Sequence, residues 1–489
     1  MPRSPHSALR AMLSTTPSTS PRFLQLLRFL VAYFLLPNLP FWLASRFLGF
    51  SRRGYIDIDY AVWGIASLFL PPPLVIAGLS LSCFLDVFRI SASFYYFSQH
   101  DFLASSIYLL QLPWRTVALI AIAASFGLAT SSTLIVKIAA AKDKVQGKPT
   151  VVVVSLVLIL VLVGIDVVSG SNRTFSKRDS QPAIKLANAA TFTFARVALR
   201  EAHFRAGPVV FQPVETATGP LLHELRTAIA SSSSGADEHN IVLIIVESYG
   251  LMLDTRAAAH LASPYNDEEL TRRFSVTTGE VPFHGGTVPG EFRELCGLEI
   301  GVGDYPDDLS KCLPTLLKQR GYEATSFHGF TSHMFDRGTW YPRMGFTESN
   351  FLEQMAHEPG IGRCPGFFPG ICDADIARRI GDRLVRHPDK LQFIYWVTLN
   401  SHLPVDRSAA AGSELGCGSA HAPVSDLDVC TWMALILKVN SSIAAVARHS
   451  GLPPTEFIIV GDHAPPFLAE KRRQLFSQEV VQYIRLLPK

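Results

Sequence analysis

The sequence predicts an N-terminal α-helical transmembrane domain of about five helices, followed by an α/β domain built on a central, mostly parallel sheet. The chain has 489 residues, which is more than a single ordinary domain needs. Its apolar residues, 48% of the total, are concentrated in the first third. From about residue 240, short continuously apolar runs alternate with mixed, helix-like stretches, as in α/β domains with buried parallel strands. We expect a membrane domain at residues 1–171, a helical connector at 172–238 and the α/β domain at 239–489.

The composition excludes two broad classes of protein. Charged residues make up only 17% of the chain, and the formal net charge is +3. A disordered protein or one that coats nucleic acid could not carry so large an apolar fraction. We therefore expect no nucleic-acid partner.

Four apolar segments in the first third read as membrane-spanning helices. They cover residues 23–50, 60–88, 114–136 and 150–170. About 20 apolar residues cross the roughly 30 Å of hydrocarbon in a bilayer. Buried helices of a soluble protein are the alternative. A cleaved signal peptide is disfavoured because the first run starts late, is too long and is followed by further spans.

Basic residues near the spans predict their orientation. Two groups stand out: Arg3, Arg10, Arg22 and Arg28 before the first segment, and Lys137, Lys142, Lys144 and Lys148 before the last. Placing both groups in the cytoplasm puts the chain beyond residue 170 outside it. An internal N-terminus then requires an odd number of crossings, so we expect five, with the missing one between residues 59 and 112. The prediction is a multi-pass protein of the cytoplasmic (inner) membrane with an extracytoplasmic, periplasmic C-terminal domain.

The cysteines agree with an oxidising compartment. Only Cys83 of the seven lies in a membrane segment. The remaining six are Cys296, Cys312, Cys364, Cys372, Cys417 and Cys430. An even number of close neighbours is typical of local disulfides. Pairing of sequence neighbours is our hypothesis among fifteen possible connectivities, and six free thiols are the alternative.

Four apolar runs of the α/β region each lead into a residue that can bind a metal or a phosphate. The runs are residues 241–246, 322–327, 393–398 and 457–460. The residues that follow them are Glu247, His328, His402 and the pair Asp462-His463. Since the carboxyl ends of parallel strands lie on one side of a sheet, these side chains should meet at one edge. A functional site is therefore predicted there, although each residue taken alone could be structural.

The metal-binding candidates are the acidic and imidazole groups of that edge. Glu247 supplies a hard oxygen ligand, and Asp462-His463 supplies one oxygen and one nitrogen, a set suited to Mn²⁺ or Zn²⁺. We expect Gly461 to let the backbone turn tightly before the pair. A helix-capping carboxylate and a plain strand-end turn are the structural alternatives.

The nucleophile candidate is Thr287, which follows Gly285-Gly286 and precedes Pro289. The pattern predicts Thr287 as the N-cap of a helix, with Pro289 in the first turn. A helix N-terminus stabilises an oxyanion or phosphoryl group, and a metal on the hydroxyl oxygen lowers its pKa. Capping alone is the alternative.

Three further residues are candidates for binding a transferred group. Arg337 can hold a phosphate or sulfate through a fork of N–H donors, and its alternative role is an ion pair with Asp336 or Glu348. His328 shares a strand-plus-loop unit with Arg337. His402 could contact the transferred group or its leaving oxygen, or be an ordinary structural histidine.

At this point the chain resembles the membrane-anchored transferase branch of the alkaline-phosphatase superfamily. It is most similar to lipoteichoic-acid synthase-like phosphoglycerol transferases, and lipid A phosphoethanolamine transferases are more distant. The motifs that carry the resemblance are Ile244-Ile245-Val246-Glu247-Ser248, Gly285-Gly286-Thr287 with Glu291-Phe292, Phe327-His328-Gly329, Phe335-Asp336-Arg337 with Tyr341-Pro342-Arg343-Met344-Gly345-Phe346, and Gly461-Asp462-His463.

The resemblance implies an alkaline-phosphatase-like (sulfatase-like) α/β domain with one divalent metal, Mn²⁺ in preference to Zn²⁺ or Mg²⁺. The implied metal ligands are Glu247, Thr287, Asp462 and His463, with Thr287 also the nucleophile. The implied headgroup contacts are His328, Phe335, Arg337 and His402. Phe335 stands where the family tends to have Trp, and Val288-Pro289-Gly290 replaces a more polar segment.

The activity implied by this resemblance is transfer of a phosphoglycerol-type headgroup from a phospholipid to a glycan or glycolipid acceptor, through a phospho-Thr intermediate. A phosphoethanolamine transferase is one alternative. A sulfatase or phosphodiesterase-type hydrolase is another, although Thr287-Val288-Pro289-Gly290-Glu291 lacks the Cys/Ser-x-Pro-x-Arg motif of sulfatases. A non-enzymatic alternative is an inactive, membrane-tethered binding protein.

Overall fold

The computed structural model describes residues 21–48, 56–94, 114–139, 148–168, 187–188, 211–231, 239–300, 305–366, 368–408, 415–419, 422–467 and 469–489. The chain separates into two compact units. The N-terminal unit comprises residues 1–90, 113–174 and 181–199, and the C-terminal unit comprises residues 91–112, 175–180 and 200–489.

The N-terminal unit is helical. Its helices are α1 (Pro21–Leu30), a π-helical turn (Val31–Leu35), α2 (Leu39–Leu48), α3 (Asp59–Ala66), α4 (Pro72–Phe94), α5 (Trp114–Ala139) and α6 (Lys148–Val168). Two short strands, β1 (Ile56–Asp57) and β2 (Ala187–Asn188), pair in parallel. The helical connector predicted at residues 172–238 is therefore wrong at residues 187–188, which form a strand.

The predicted spans are only partly reproduced. Residues 23–50 and 60–88 do not form single helices, because the chain leaves helical geometry before Leu39 and again before Pro72, where Pro71–Pro73 lack the N–H groups a helix needs. Within the described residues, one helix of this unit meets the length and hydropathy of a span, at Lys148–Ile165. Shorter apolar helices lie at Pro72–Val87 and Gly127–Ile138. Five crossings remain a prediction, and part of the region expected to hold the missing one lies outside the described residues.

The C-terminal unit is built on an eight-stranded mixed sheet. Its strands are β4 (Asn240–Val246), β5 (Gly250–Met252), β6 (Phe274–Pro282), β8 (Glu323–His328), β9 (Glu348–Asn350), β12 (Gln392–Val397), β13 (Thr455–Gly461) and β14 (Phe476–Pro488). The order is β5-β14-β13-β4-β12-β8-β9, with β6 also pairing β14. The five strands from β13 to β9 are parallel, as predicted, whereas β5, β6 and β14 pair antiparallel at one side.

The parallel register aligns the carboxyl ends of the central strands. Gly461 pairs with Val246 across β13 and β4, and Val397 pairs with Ile245 on one side and His328 on the other. The residues that follow these four strands therefore leave the sheet at one edge, because parallel neighbours run in the same direction.

Helices and short strands complete the unit. They are β3 (Gln212–Pro213), α7 (Gly219–Ser231), α8 (Thr255–Ala262), α9 (Glu268–Arg273), α10 (Thr287–Cys296), β7 (Leu298–Glu299), α11 (Leu313–Gln319), α12 (Arg337–Met344), α13 (Leu352–Met355), β10 (Arg363–Cys364), β11 (Gly370–Ile371), α14 (Asp373–Arg386), α15 (Leu427–Arg448) and α16 (Glu470–Arg473). α7 lies within the connector predicted at residues 172–238 and is helical, as expected.

The helix α15 shows how strongly this unit is packed. It is long and apolar enough to resemble a membrane span, yet 72% of it is buried inside the structure. Its first turn is capped by Asp426, whose carboxylate accepts the N–H groups of Asp428 and Val429. Trp432 and Ile436 lie in the same core as the central strands. α15 is therefore a core helix of this unit.

The six cysteines of the C-terminal unit form three disulfides. The bonds join Cys296–Cys312, Cys364–Cys372 and Cys417–Cys430. The predicted pairing of sequence neighbours is confirmed.

Candidate active site

The ends of β4 and β13 bring two carboxylates and an imidazole together. Glu247, Asp462 and His463 are all buried, and one ligand atom from each lies within 4.8 Å of the others. His463 Nε2 is 3.5 Å from Glu247 Oε1 and 3.4 Å from Asp462 Oδ2. Glu247 and the Asp462-His463 pair follow neighbouring parallel strands, and the register of those strands places the three groups side by side. With Thr287, they form what we call the carboxylate half of the site.

Thr287 enters this half from α10. Its Oγ1 donates a hydrogen bond to Glu247 Oε2 at 3.0 Å. Gly286 is the N-cap of α10 and Thr287 is its first residue, so the predicted N-cap position was wrong by one. The cause is the turn before the helix, where Gly285 takes the left-handed φ of 110° that glycine adopts without strain.

Gly290 explains part of the unusual Val288-Pro289-Gly290 segment. A Cβ at this position would lie 3.0 Å from Cβ and 3.1 Å from Cα of Asp462. A side chain here would push α10 away from the strand end that carries Asp462. The glycine therefore lets the helix that starts with Thr287 pack directly against Asp462.

Ser248 orients both carboxylates. It is buried and has a left-handed φ of 58°, a conformation that non-glycine residues adopt rarely. Its N–H donates to Asp462 Oδ1 at 2.7 Å, and its hydroxyl donates to Glu247 Oε1 at 2.8 Å. Trp432 Nε1 donates to the Ser248 carbonyl at 3.1 Å and so holds the strained turn in place.

The remaining oxygen of Asp462 is left for a ligand. Oδ1 also accepts the N–H of His463 at 2.7 Å, whereas Oδ2 is buried and has no hydrogen-bond partner among the described residues. Buried polar atoms are seldom left in this state unless something binds them. The Nδ1 of His463 lies 2.9 Å from the Ala464 carbonyl, so Nδ1–H donates and Nε2 faces the carboxylates with its lone pair. This donor set fits a divalent cation.

Electrostatics favour the same interpretation. Burial and the nearby charge of Glu247 raise the pKa of Asp462 to about 7. Burial alone would also raise the pKa of Glu247. The charges of His402 and His463 and the hydrogen bonds from Ser248 and Thr287 have a larger, opposite effect, so the pKa of Glu247 is lowered. Asp462 and Glu247 in turn raise the pKa of His463, but two ionised carboxylates beside one imidazole leave a net negative charge. A bound cation would offset it.

A second group, which we call the arginine half, lies at the ends of β8 and β12 and comprises His328, Phe335, Arg337 and His402. Arg337 is buried, and its Nε and Nη2 donate to Glu291 Oε1 at 2.9 and 2.6 Å. Its Nη1 lies 3.4 Å from His328 Nε2. The acidic partner of Arg337 is therefore Glu291 and neither Asp336 nor Glu348.

His328 is held as a neutral acceptor toward Arg337. Its Nδ1 lies 3.0 Å from the Val397 carbonyl, so Nδ1–H donates and Nε2 is the acceptor that faces Arg337 Nη1. Burial and the charge of Arg337 lower the pKa of His328 to about 3.

Phe335 lies in a strained turn between β8 and α12. Phe335 and Asp336 both have left-handed φ angles, of 56° and 55°. The Phe335 carbonyl accepts hydrogen bonds from the Tyr305 hydroxyl at 2.9 Å and from Trp340 Nε1 at 3.0 Å. The Arg337 guanidinium lies 5.2 Å from the centre of the Phe335 ring, within reach of a cation–π contact.

His402 lies on a loop that connects the two halves. Ser401 Oγ donates to the Glu247 carbonyl at 2.6 Å. The Asp373 carboxylate, at the start of α14, accepts the N–H groups of Leu399 at 3.1 Å and Asn400 at 2.8 Å. Burial lowers the pKa of His402 despite the opposing charge of Glu247. The residue is electrostatically coupled to Glu247 and belongs to the same neighbourhood.

Four residues of this neighbourhood were not predicted from the sequence. They are Ser248, Glu291, Arg293 and Asp373. Arg293 Nη2 donates to the Gly461 carbonyl at 2.6 Å and its Nε to Glu294 at 2.7 Å, which ties α10 to the end of β13. The only signal was that Ser248 and Glu291 occur in the motifs quoted above. The catalytic and ligand roles of the eight predicted residues remain predictions.

Residues 239–477 match the family model described as Sulfatase. The matched segment covers just under half of the chain and agrees with the sulfatase-like C-terminal domain that the motifs implied. No curated protein matches the chain significantly.

Solved structures align with about half of the chain. The lipoteichoic acid synthase LtaP from Listeria monocytogenes has 13% identity and a TM-score of 0.38, covering 51% of this chain and 65% of its own. The Streptococcus pyogenes phosphoglycerol transferase GacH, in complex with sn-glycerol-1-phosphate, has 15% identity and a TM-score of 0.40, covering 56% and 77%. The C-terminal periplasmic domain of EcEptC from Escherichia coli has 13% identity and a TM-score of 0.36, covering 52% and 74%. The chain thus spans less than two thirds of the Listeria chain.

Proposed function

We propose that this protein is a membrane-anchored, metal-dependent transferase. It moves a phosphoglycerol-type headgroup from a phospholipid to a glycan or glycolipid acceptor at the outer face of the cytoplasmic membrane. The observation that carries the proposal is the hydroxyl of Thr287, hydrogen-bonded to Glu247 beside a buried Asp462 and His463. The match to the Sulfatase family model and this hydroxyl together support transfer through a covalent intermediate.

The residues of the carboxylate half have separate tasks. Glu247, Asp462, His463 and the Thr287 oxygen would hold one divalent cation, with Mn²⁺ proposed and Zn²⁺ or Mg²⁺ possible for this donor set. When bound, the cation supplies positive charge that lowers the pKa of the Thr287 hydroxyl. Ser248 fixes the orientation of the two carboxylates.

The reaction has two displacements at phosphorus. In the first, Thr287 Oγ1 forms a bond to the headgroup phosphorus, the bond to diacylglycerol breaks, and the hydroxyl proton passes to the departing diacylglycerol oxygen. In the second, an acceptor hydroxyl forms a bond to phosphorus and releases Thr287, which regains a proton from that hydroxyl. Headgroup transfer is then complete, and no water is consumed.

The arginine half suits the group in transfer. Arg337 presents its Nη1 beside His328, and a guanidinium offers donors to phosphoryl oxygens. Phe335 and His402 are proposed to contact the same headgroup. Glu291 already offsets the charge of Arg337, so the guanidinium contributes directed hydrogen bonds more than net charge.

Two observations support the proposed location. The apolar helix at Lys148–Ile165 is long enough to cross a bilayer. The three disulfides of the C-terminal unit are typical of an oxidising, extracytoplasmic compartment. Anchoring would keep the site near a donor that is itself a lipid.

The test is to trap the intermediate. Full-length protein in detergent is incubated with phosphatidylglycerol, quenched in acid and analysed by mass spectrometry of the peptide that contains Thr287. We expect an adduct with the mass of phosphoglycerol, absent from a Thr287→Ala control. A phosphoethanolamine adduct formed from native lipids would replace the proposed headgroup. Release of free glycerol phosphate at the same rate with and without acceptor would show a hydrolase, and the absence of any adduct would refute the proposal.

A further inference from the structure

Glu291 is a buried carboxylate to which the sequence assigned no role. It lies on α10, four residues after Thr287 and about one helical turn away. Its Oε1 accepts two hydrogen bonds from Arg337, and its Oε2 accepts the hydroxyls of Tyr341 at 2.6 Å and Tyr395 at 3.0 Å. These four bonds occupy both carboxylate oxygens. Glu291 is therefore neither a spare base nor an open ligand.

These bonds orient the guanidinium. With Nε and Nη2 directed at Glu291, the Nη1 edge of Arg337 is the part that faces His328. The two tyrosines fix the opposite side of the carboxylate, so Glu291 cannot follow Arg337 into another rotamer.

We propose that Glu291 is a positioning residue that holds the Nη1 edge of Arg337 toward His328, ready for the oxygens of the transferred phosphoryl group. It also links that edge to the nucleophile, because Thr287 and Glu291 belong to the same helix. This inference rests on the proposed role of Arg337 in binding the headgroup. Its physical basis is preorganisation, in which donors fixed before substrate arrives need no reorientation during reaction.

A buried ion pair with a purely structural role makes a different prediction. Removing one partner of such a pair destabilises the fold but does not depend on whether Arg337 binds phosphate. Glycerol phosphate affinity measured beside the melting temperature separates the two roles, because a purely structural pair changes only the melting temperature. A double-mutant cycle then shows whether the loss of affinity acts through Arg337.

The experiment uses full-length protein in detergent, with glycerol phosphate as the binding probe and a fluorescent phosphatidylglycerol as donor. Three variants are compared with the parent protein: Glu291→Gln, Arg337→Ala and the combination of both. We expect Glu291→Gln to weaken glycerol phosphate binding about 10-fold and to lower kcat about 100-fold. In the Arg337→Ala background, the same change should cost almost nothing. The double variant also removes the unpaired buried charge, so it should fold even if a single variant does not.

A matched control is the buried Glu456 in the second position of β13, which pairs with Arg485. It lies at the opposite end of the strand from Gly461. Glu456→Gln should lower the melting temperature without changing glycerol phosphate affinity.

Equal losses from Glu291→Gln with and without Arg337 would overturn the positioning role, as would unchanged glycerol phosphate affinity in Glu291→Gln. Failure of the proposed function can be told apart from failure of the positioning role. If the parent protein transfers no headgroup, the affinities of the parent protein and the three variants for glycerol phosphate, measured by calorimetry, still decide the role of Glu291.

Discussion

The two halves of the site differ in how their charges are balanced. In the carboxylate half, Glu247 and Asp462 lie against each other, and Asp462 Oδ2 has no hydrogen-bond partner among the described residues. In the arginine half, Arg337 is paired with Glu291, and His328 is neutral. The carboxylate half needs a cation to balance its negative charge, whereas the charges of the arginine half already balance each other. Changes to the two halves should therefore have different signatures.

The largest expected effect comes from Thr287, which belongs to the carboxylate half but performs the chemistry. Thr287→Ala removes the only atom of the protein that we propose to form a bond to phosphorus. We expect the rate of headgroup transfer to fall at least about 1,000-fold, measured with a fluorescent phosphatidylglycerol donor. Glycerol phosphate should still bind, since the arginine half is untouched.

Thr287→Ser is the matched control, because it keeps the hydroxyl and removes one methyl group. Transfer should survive in part and the adduct should move to the serine. Turnover in Thr287→Ala close to that of Thr287→Ser would show that another group is the nucleophile.

Asp462→Asn should have a smaller effect: it should lower metal affinity but raise the stability of the metal-free protein. The amide keeps the oxygen that accepts the N–H groups of Ser248 and His463 but removes the negative charge beside Glu247. Metal affinity should fall more than about 100-fold, since loss of an outer-shell partner alone costs 10- to 100-fold. In the presence of a chelator, the variant should be more stable than the parent protein at pH 8, by on the order of 2 kcal/mol.

Chelator competition measures the affinity and thermal unfolding measures the stability. A variant that lost stability without metal would contradict the proposed charge imbalance. Glu291→Gln provides the comparison in the other half, because it should leave metal affinity unchanged.

The sequence predicted the carboxylate half better than the arginine half, for a physical reason. Fully apolar runs define buried parallel strands, so the positions of Glu247, Asp462 and His463 followed from strand ends and parallel register alone. The observed strands begin or end within two residues of the predicted runs. The partner of Arg337 could not be found in the same way, because Glu291 lies on a helix and looks in sequence like any surface carboxylate.

Other elements were missed because their sequence signals are weak. β14 mixes polar residues with short apolar pairs and pairs antiparallel, so it lacks the continuous apolar run that marked the central strands. The left-handed backbone of Ser248 has no sequence signature, since serine rarely adopts it. In the N-terminal unit, apolar composition predicted helices but not their interruption before Leu39 and Pro72.

The prediction with the smallest effect on metal binding concerns pH and the loop that carries His402. Burial raises the pKa of Asp373 to about 7; hydrogen bonds from Asn400 and Leu399 oppose the rise, and the charge of Glu247 adds to it. The ordinary value is about 3.9, so between pH 4 and 7 the folded state holds a proton that the unfolded state has released. Stability should therefore fall as pH rises through this window, by at most about 1.4 kcal/mol per pH unit for this group.

With chelator present, Asp373→Asn should flatten the pH dependence of the melting temperature and leave metal affinity unchanged. An unaltered slope would mean that Asp373 is already ionised in the folded protein. The loop beside the arginine half would then be held by a full negative charge, and the contrast in charge balance between the two halves would be weaker than the structure indicates.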